Sequence, residues 1–109
     1  MKRKYLPLRD PVVNEFVSAM RTMLGTRLKN LYLFGSHARG DAWEGSDYDY
    51  ALVVDIRDPS VEELILDVST RLLDQYDALV SAQIFDEAEW ALESKLPLGR
   101  NILKEGIVL

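Results

Sequence analysis

Two aspartates and a glycine–serine pair carry the chemistry this sequence could do. Asp47 and Asp49 open the stretch Asp47-Tyr48-Asp49-Tyr50-Ala51-Leu52-Val53-Val54, which reads as a strand. Alternation sends both carboxylates off one face, with Cα atoms roughly 6.5–7 Å apart. Two hard oxygen ligands at that spacing can hold one Mg²⁺ or bridge a pair. Gly35-Ser36 follows the apolar run Leu31-Tyr32-Leu33-Phe34, where a short helix would begin. Helix starts carry unpaired N–H groups and the positive end of a dipole, so this is an anion site. A phosphate cradle beside a magnesium site is what a nucleoside triphosphate requires.

Two other motifs come close and fail. Gly35 and Gly40 supply the glycines of a Walker A loop, but Asp41 and Ala42 stand where lysine and Ser/Thr are required. Asp47-x-Asp49 begins like a calcium loop, but Ala51 and Leu52 occupy the places of a ligand and a glycine. The plain alternative is a solvated acidic strand start after a simple glycine turn.

Gly35-Ser36-His37-Ala38-Arg39-Gly40, followed by Ser46-Asp47-Tyr48-Asp49, resembles the signature of the polymerase beta-like nucleotidyltransferase superfamily. The short chain is similar to its minimal nucleotidyltransferase branch. The motif spans Gly35 to Asp49, and a weaker likeness in element order covers nearly the whole chain. The resemblance implies a transferase that moves a nucleoside monophosphate, AMP from ATP, to a hydroxyl. Asp47 and Asp49 would then bind Mg²⁺, and Gly35 and Ser36 the β- and γ-phosphates. Minimal members of this kind are often paired with a helical HEPN-family toxin, to which they transfer AMP as antitoxins. A HEPN-type protein acceptor and a hetero-oligomer are therefore expected. The alternative is a nucleotide-binding module that caps such a partner by contact alone.

The resemblance also implies a third carboxylate on a later strand. Asp77, in Tyr76-Asp77-Ala78-Leu79-Val80, is one candidate place for it. Ser81 is the rival, and only one of the two can be level with Asp49. The plain reading of Asp77 is a turn residue. Arg39, fixed in the motif this sequence resembles, can aim at phosphate or pair with a site carboxylate. His37 fills a variable place in that motif and is not read as catalytic. Trp43 is expected to cover the edge of the core, with a place near the nucleotide as the functional alternative.

The elements that must position these residues follow from periodicity and punctuation. Asp10-Pro11 starts a helix with Val13, Phe16, Val17, Met20 and Leu24 on one face, and Gly25 ends it. A strand from about Leu28 to Phe34 leads into the motif. The strand from Tyr48 to Ile56 is apolar on both faces beyond Asp49, as an interior strand must be. Asp58-Pro59-Ser60 opens a second long helix, capped by Ser60 with Glu63 or by Asp58. Its buried stripe is Val61, Leu64, Ile65, Val68 and Leu72. Asp77 to Phe85 reads as a third strand. Asp86 and Glu89 cap a helix carrying Trp90, Pro97 breaks it, and a short helix ends at Gly106. Ile107-Val108-Leu109 closes as a strand or a docking tail. The whole is an α/β (α+β) layer, a small mixed sheet covered by helices, in one minimal nucleotidyltransferase domain over 1–109.

The bulk numbers agree. The chain has 109 residues, with 48% apolar and 28% charged, in the range of a globular protein with one core. It has no cysteine and one histidine, which excludes disulfides and a multi-histidine zinc site within the chain. The net charge of −5 argues against a DNA duplex as partner, since phosphate binding needs clustered cations. The one basic run, Lys2-Arg3-Lys4, reads as a solubilising tail. No apolar run approaches a membrane span and no signal core follows Met1, so a cytoplasmic protein is expected. One domain this small has no obvious second substrate lobe, so a protein acceptor is expected.

Overall fold

The computed structural model describes residues 7–109; the Lys2-Arg3-Lys4 run lies outside them. After a 3-10 turn at Pro7–Arg9, the elements are α1 (Pro11–Leu24), β1 (Leu28–Phe34), α2 (Gly35–Arg39), β2 (Tyr48–Val54), α3 (Pro59–Tyr76), β3 (Val80–Asp86), α4 (Glu87–Glu93), α5 (Pro97–Glu105) and β4 (Ile107–Val108). The sheet order is β3-β2-β1-β4. β1 runs antiparallel to both β2 and β4, and β2 runs parallel to β3. A parallel pair needs a crossover, and α3 supplies it. The fold is therefore a mixed sheet with helices, as the pattern predicts.

Alternation on β2 divides the core. Tyr50, Leu52 and Val54 join α1 and α3 through Val13, Phe16, Met20, Val61, Val68 and Leu72. Phe16 stacks on Tyr50 with ring centroids 3.9 Å apart, and both are fully buried. Ala51 and Val53 face the other way, into a smaller cluster with Tyr32, Phe85 and Ile102 that Trp90 borders. β2 is thus covered on both faces, the interior strand its composition requires. Asp49 lies on the second face, at the start of β2, opposite Phe34, which packs on the smaller cluster.

The caps follow the expected chemistry with one choice resolved. Asp10 accepts from Val12 N at 3.0 Å, ahead of Pro11. Asp58, not Ser60, caps α3, accepting from Ser60 N at 3.1 Å and Val61 N at 3.4 Å. Asp86 and Glu89 form the reciprocal capping box of α4. Pro97 opens α5 at the same time as it stops α4. The C-terminal residues settle as a strand, with Ile107 opposite Leu33 on β1.

The expected third strand is corrected. α3 runs to Tyr76, and Asp77 is its C-cap at φ 55, ψ 34, in the left-handed region. β3 begins only at Val80. A short polar residue tolerates that conformation better than a branched one, so Asp77 stops the helix instead of opening the strand.

Asp58 also accepts from Ser60 Oγ and pairs with Arg27 at 3.1 Å, while Asp55 accepts from Ile56 N and pairs with Arg27 at 3.0 Å. The Ser60 hydroxyl lowers the Asp58 carboxyl below its ordinary value, and the Ile56 amide does the same for Asp55. A lowered folded value means stability that is present above the unfolded carboxylate range and lost as pH falls through the folded one. Asp58→Ala is expected to lower the melting temperature at pH 7 and to shrink its fall toward pH 2. Calorimetry across that range checks both; an unchanged acid limb would remove Asp58 from the account.

Candidate active site

The site forms where β1 ends and β2 begins. Phe34 pairs with Asp49 in the antiparallel register, so the chain leaving β1 turns directly beside that carboxylate. Gly35 makes the turn at φ +74, a conformation that L side chains rarely adopt. A Cβ there would collide with Asp49 Oδ2 and lie 3.1 Å from its Cγ. Gly35 is needed twice, for its positive φ and for the room it leaves Asp49.

α2 starts at Gly35 with no side-chain cap from Phe34. Its first N–H groups and the half-buried Ser36 are donors without a helical partner, as an anion site requires. Asp49, half-buried, lies against this start, while Asp47, expected to open the strand, is exposed and stands one residue before β2, close enough for its charge to act on Asp49. Burial raises the Asp49 carboxyl above its ordinary value and the charge of Asp47 raises it further, while His37 and Arg39 pull the other way. A carboxyl whose ionisation is disfavoured by burial and by a neighbouring acid, with α2 beside it, suits a hard divalent cation. Mg²⁺ is commonly held by one or two carboxylates together with substrate phosphates, and that donor set fits here. Among the described residues, no three His, Cys, Asp or Glu side chains group to hold a metal ion.

Other candidates land elsewhere. The parallel register sets Ser81, not Asp77, opposite Asp49. Asp77 is exposed and lines a cleft of about 500 Å³ with His37, Trp43, Glu44, Tyr48 and Tyr76, among others. Neither Asp47, Asp49, Gly35 nor Ser36 lines that cleft. Arg39 Nε donates to Asp41 at 3.2 Å and its guanidinium to Glu105 at 2.9 Å, tying α2 to α5, while its charge still acts on Asp49. Trp43, expected over the core, is 71% exposed.

Sequence reasoning missed the bracing of the loop. The His37 ring stacks on Tyr48 at 3.7 Å, and its Nε2 lies 3.2 Å from Ser46 O. Tyr48 donates from its hydroxyl to Asp10 at 2.8 Å, joining the cap of α1 to the strand that carries Asp49 and follows Asp47. Ser46 Oγ accepts from Trp43 N at 2.9 Å and shapes the turn before Asp47. The only signal for these roles was proximity to the motif.

The family described as polymerase beta nucleotidyltransferase matches residues 22–109. A candidate protein adenylyltransferase of Methanocaldococcus jannaschii, MJ0604, is 34% identical over 100 residues, which cover 92% of this chain and 96% of that protein. A second from the same organism, MJ0141, is 36% identical over 76 residues, covering 68% of this chain and 76% of that protein. Among solved structures, a toxin–antitoxin complex with AMP-PNP superposes at a TM-score of 0.59 and 21% identity, over 87% of this chain and 69% of that one. A complex of tri-AMPylated Shewanella oneidensis HEPN toxin with MNT antitoxin superposes at 0.52 and 18% identity, over 87% and 66%. At such identity these structures speak to the fold, and they match it.

The raised Asp49 carboxyl has a sign that can be checked. Its ionisation costs stability that is absent below the unfolded carboxylate value and grows as pH rises through the folded one. Asp49→Asn is expected to melt higher than the parent at pH 7 without metal, with the gap closing toward pH 3. A lower melting temperature for the variant throughout would contradict this account.

Proposed function

Because the chain belongs to the polymerase beta nucleotidyltransferase family, and so to an enzyme class that moves nucleotidyl groups, we propose that it transfers AMP from ATP to a hydroxyl on a partner protein. The observation that carries the reading is the seat of Asp49 against Gly35, which sets a metal ligand beside a phosphate cradle. The two M. jannaschii relatives are candidate protein adenylyltransferases, which supports AMP as the group and a protein as the acceptor. One solved complex of the same fold pairs an MNT antitoxin with a tri-AMPylated HEPN toxin, so a HEPN-type helical protein is the partner we propose.

In this reading Gly35 N–H and the Ser36 amide and hydroxyl hold the β- and γ-phosphates. Asp47 and Asp49 hold Mg²⁺, which supplies positive charge to the phosphate oxygens. The acceptor oxygen bonds to the α-phosphorus as the bond to pyrophosphate breaks. Asp49, fixed by Gly35 and the β2 ladder, keeps the triphosphate in line with that attack, and positioning supplies much of the rate. Arg39 acts through the frame, holding α2 on α5. Asp77, the C-cap of α3, is left a structural place.

One observation favours a second reading, nucleotide-dependent binding without transfer: Ser81, a neutral residue, is the β3 partner of Asp49. Incubation with labelled ATP, Mg²⁺ and the candidate HEPN-type partner, followed by mass spectrometry of both proteins, separates the two. An AMP adduct on the partner supports transfer; a stable complex with no adduct supports binding alone.

Two variants test the site itself. Ser36→Ala is expected to weaken Mg-ATP binding by about 1.5–3 kcal/mol, the range for one hydrogen bond to a charged group. Gly35→Val is expected to abolish it, because the added carbons displace the Asp49 carboxylate and strain a positive φ. Calorimetry with a non-hydrolysable analogue measures both, and equal small losses would count against the cradle. Asp47→Asn and Asp49→Asn binding as tightly as the parent with Mg²⁺ would remove the metal assignment.

A further inference from the structure

We infer that the site holds one divalent cation with its nucleotide, not two, because Ser81 stands where a second cation would need a carboxylate. The inference rests on the site reading above and deepens it.

Asp49 has two cross-strand neighbours, Phe34 on β1 and Ser81 on β3. Strands in a sheet lie about 4.7–4.9 Å apart, and paired residues leave the same face. Phe34 has no ligand atom. Ser81 is partly exposed and offers only a neutral hydroxyl, and the next residue on its face is the amide Gln83. Asp77, the acid closest before β3, is held at the α3 C-cap, and among the described residues no three acids, Asp77 with Asp47 and Asp49 included, group to hold a metal ion. The register therefore offers Asp49 no charged neighbour on either side.

The charge balance follows. Two cations in one phosphoryl-transfer site lie about 3.5–4 Å apart and repel, so they need shared and additional anionic oxygens. Two carboxylates and a triphosphate satisfy one Mg²⁺. They leave a second without the protein ligands that would fix it. The same vacancy of charge bears on the acceptor. As its oxygen bonds to the α-phosphorus and pyrophosphate leaves, its proton must go elsewhere. A serine hydroxyl is no base at neutral pH. The proton goes to water, to a carboxylate of the site or to a basic group on the acceptor.

The test counts ions. Mn²⁺ bound per protein-held AMP-PNP is measured by calorimetry and electron paramagnetic resonance for the parent, Ser81→Ala and Ser81→Asp. The expected counts are one, one and two. A parent count of two overturns the inference and leaves the site reading intact. A count of zero with no nucleotide retained overturns both. A loss of the ion in Ser81→Ala would make the hydroxyl an essential ligand, against the inference. Ser81→Asp that keeps the parent's circular dichroism and still counts one overturns the place given to Ser81. The parent and Ser81→Ala counts decide the cation number even where Ser81→Asp does not fold.

Discussion

The contact between Gly35 and Asp49 is the constraint on which the site depends. The chain must leave β1, turn at once and start α2 beside a carboxylate on the neighbouring strand. Only a residue without a Cβ allows both the turn and the approach, since the Asp49 carboxyl fills the space a side chain would take. The β1–β2 register brings Phe34 opposite Asp49, and the pairing continues through Leu33 with Tyr50 and Leu31 with Leu52. A slip of one residue would send Asp49 into the α1–α3 core and expose Tyr50. The hydrophobic alternation of β2 thus fixes the placement of the acid as firmly as it fixes the core.

Around that contact the molecule is tied from both sides. On one face, Asp10 caps α1 and also accepts from Tyr48, whose ring carries His37. On the other, Arg39 joins α2 to α5 through Glu105. The Arg39 pairs are exposed, and exposed ion pairs contribute little to stability. Their effect is directional: they set where α2 points. Stability comes instead from buried apolar groups such as Phe16, Tyr50, Leu52 and Leu72.

Most of the frame was legible because its signals are local. Asp10-Pro11, Asp58-Pro59 and Asp86 with Glu89 marked three helix starts through capping chemistry alone. The core stripe of α1 and the two-faced burial of β2 followed from period. Gly35 and the two aspartates stood out because few structural demands call for that combination. What failed to show depends on chain-distant geometry. Asp77 followed a helix and preceded apolar residues, a pattern equally suited to a strand start and a left-handed helix stop. The choice turns on how far α3 runs before β3 reaches β2, which no local window contains. Ser81 against Asp77 is a question of register, and parallel register depends on the crossover helix. The Arg39–Glu105 pair joins residues far apart in sequence, and nothing in either segment names the other.

The electrostatics of the acid pair link binding to folding. Burial and the neighbouring Asp47 make the ionised Asp49 costly in the absence of a cation. The β2 ladder and the Gly35 contact hold it there regardless, so the fold carries a charge conflict that its own residues do not cancel. Arg39, whose charge offsets only part of that cost, is engaged with Asp41 and Glu105. Any cation that binds the pair relieves the conflict in the folded state and has no such site in the unfolded chain. By mass action it then stabilises the fold as it binds. A nucleotide that brings the remaining oxygen ligands with it strengthens that coupling. Ser81, neutral on the open flank, keeps the conflict to two acids. A third carboxylate there would strengthen the hold on any bound cation and raise the cost of the ionised acids without one, so the residue opposite Asp49 bears on both at once.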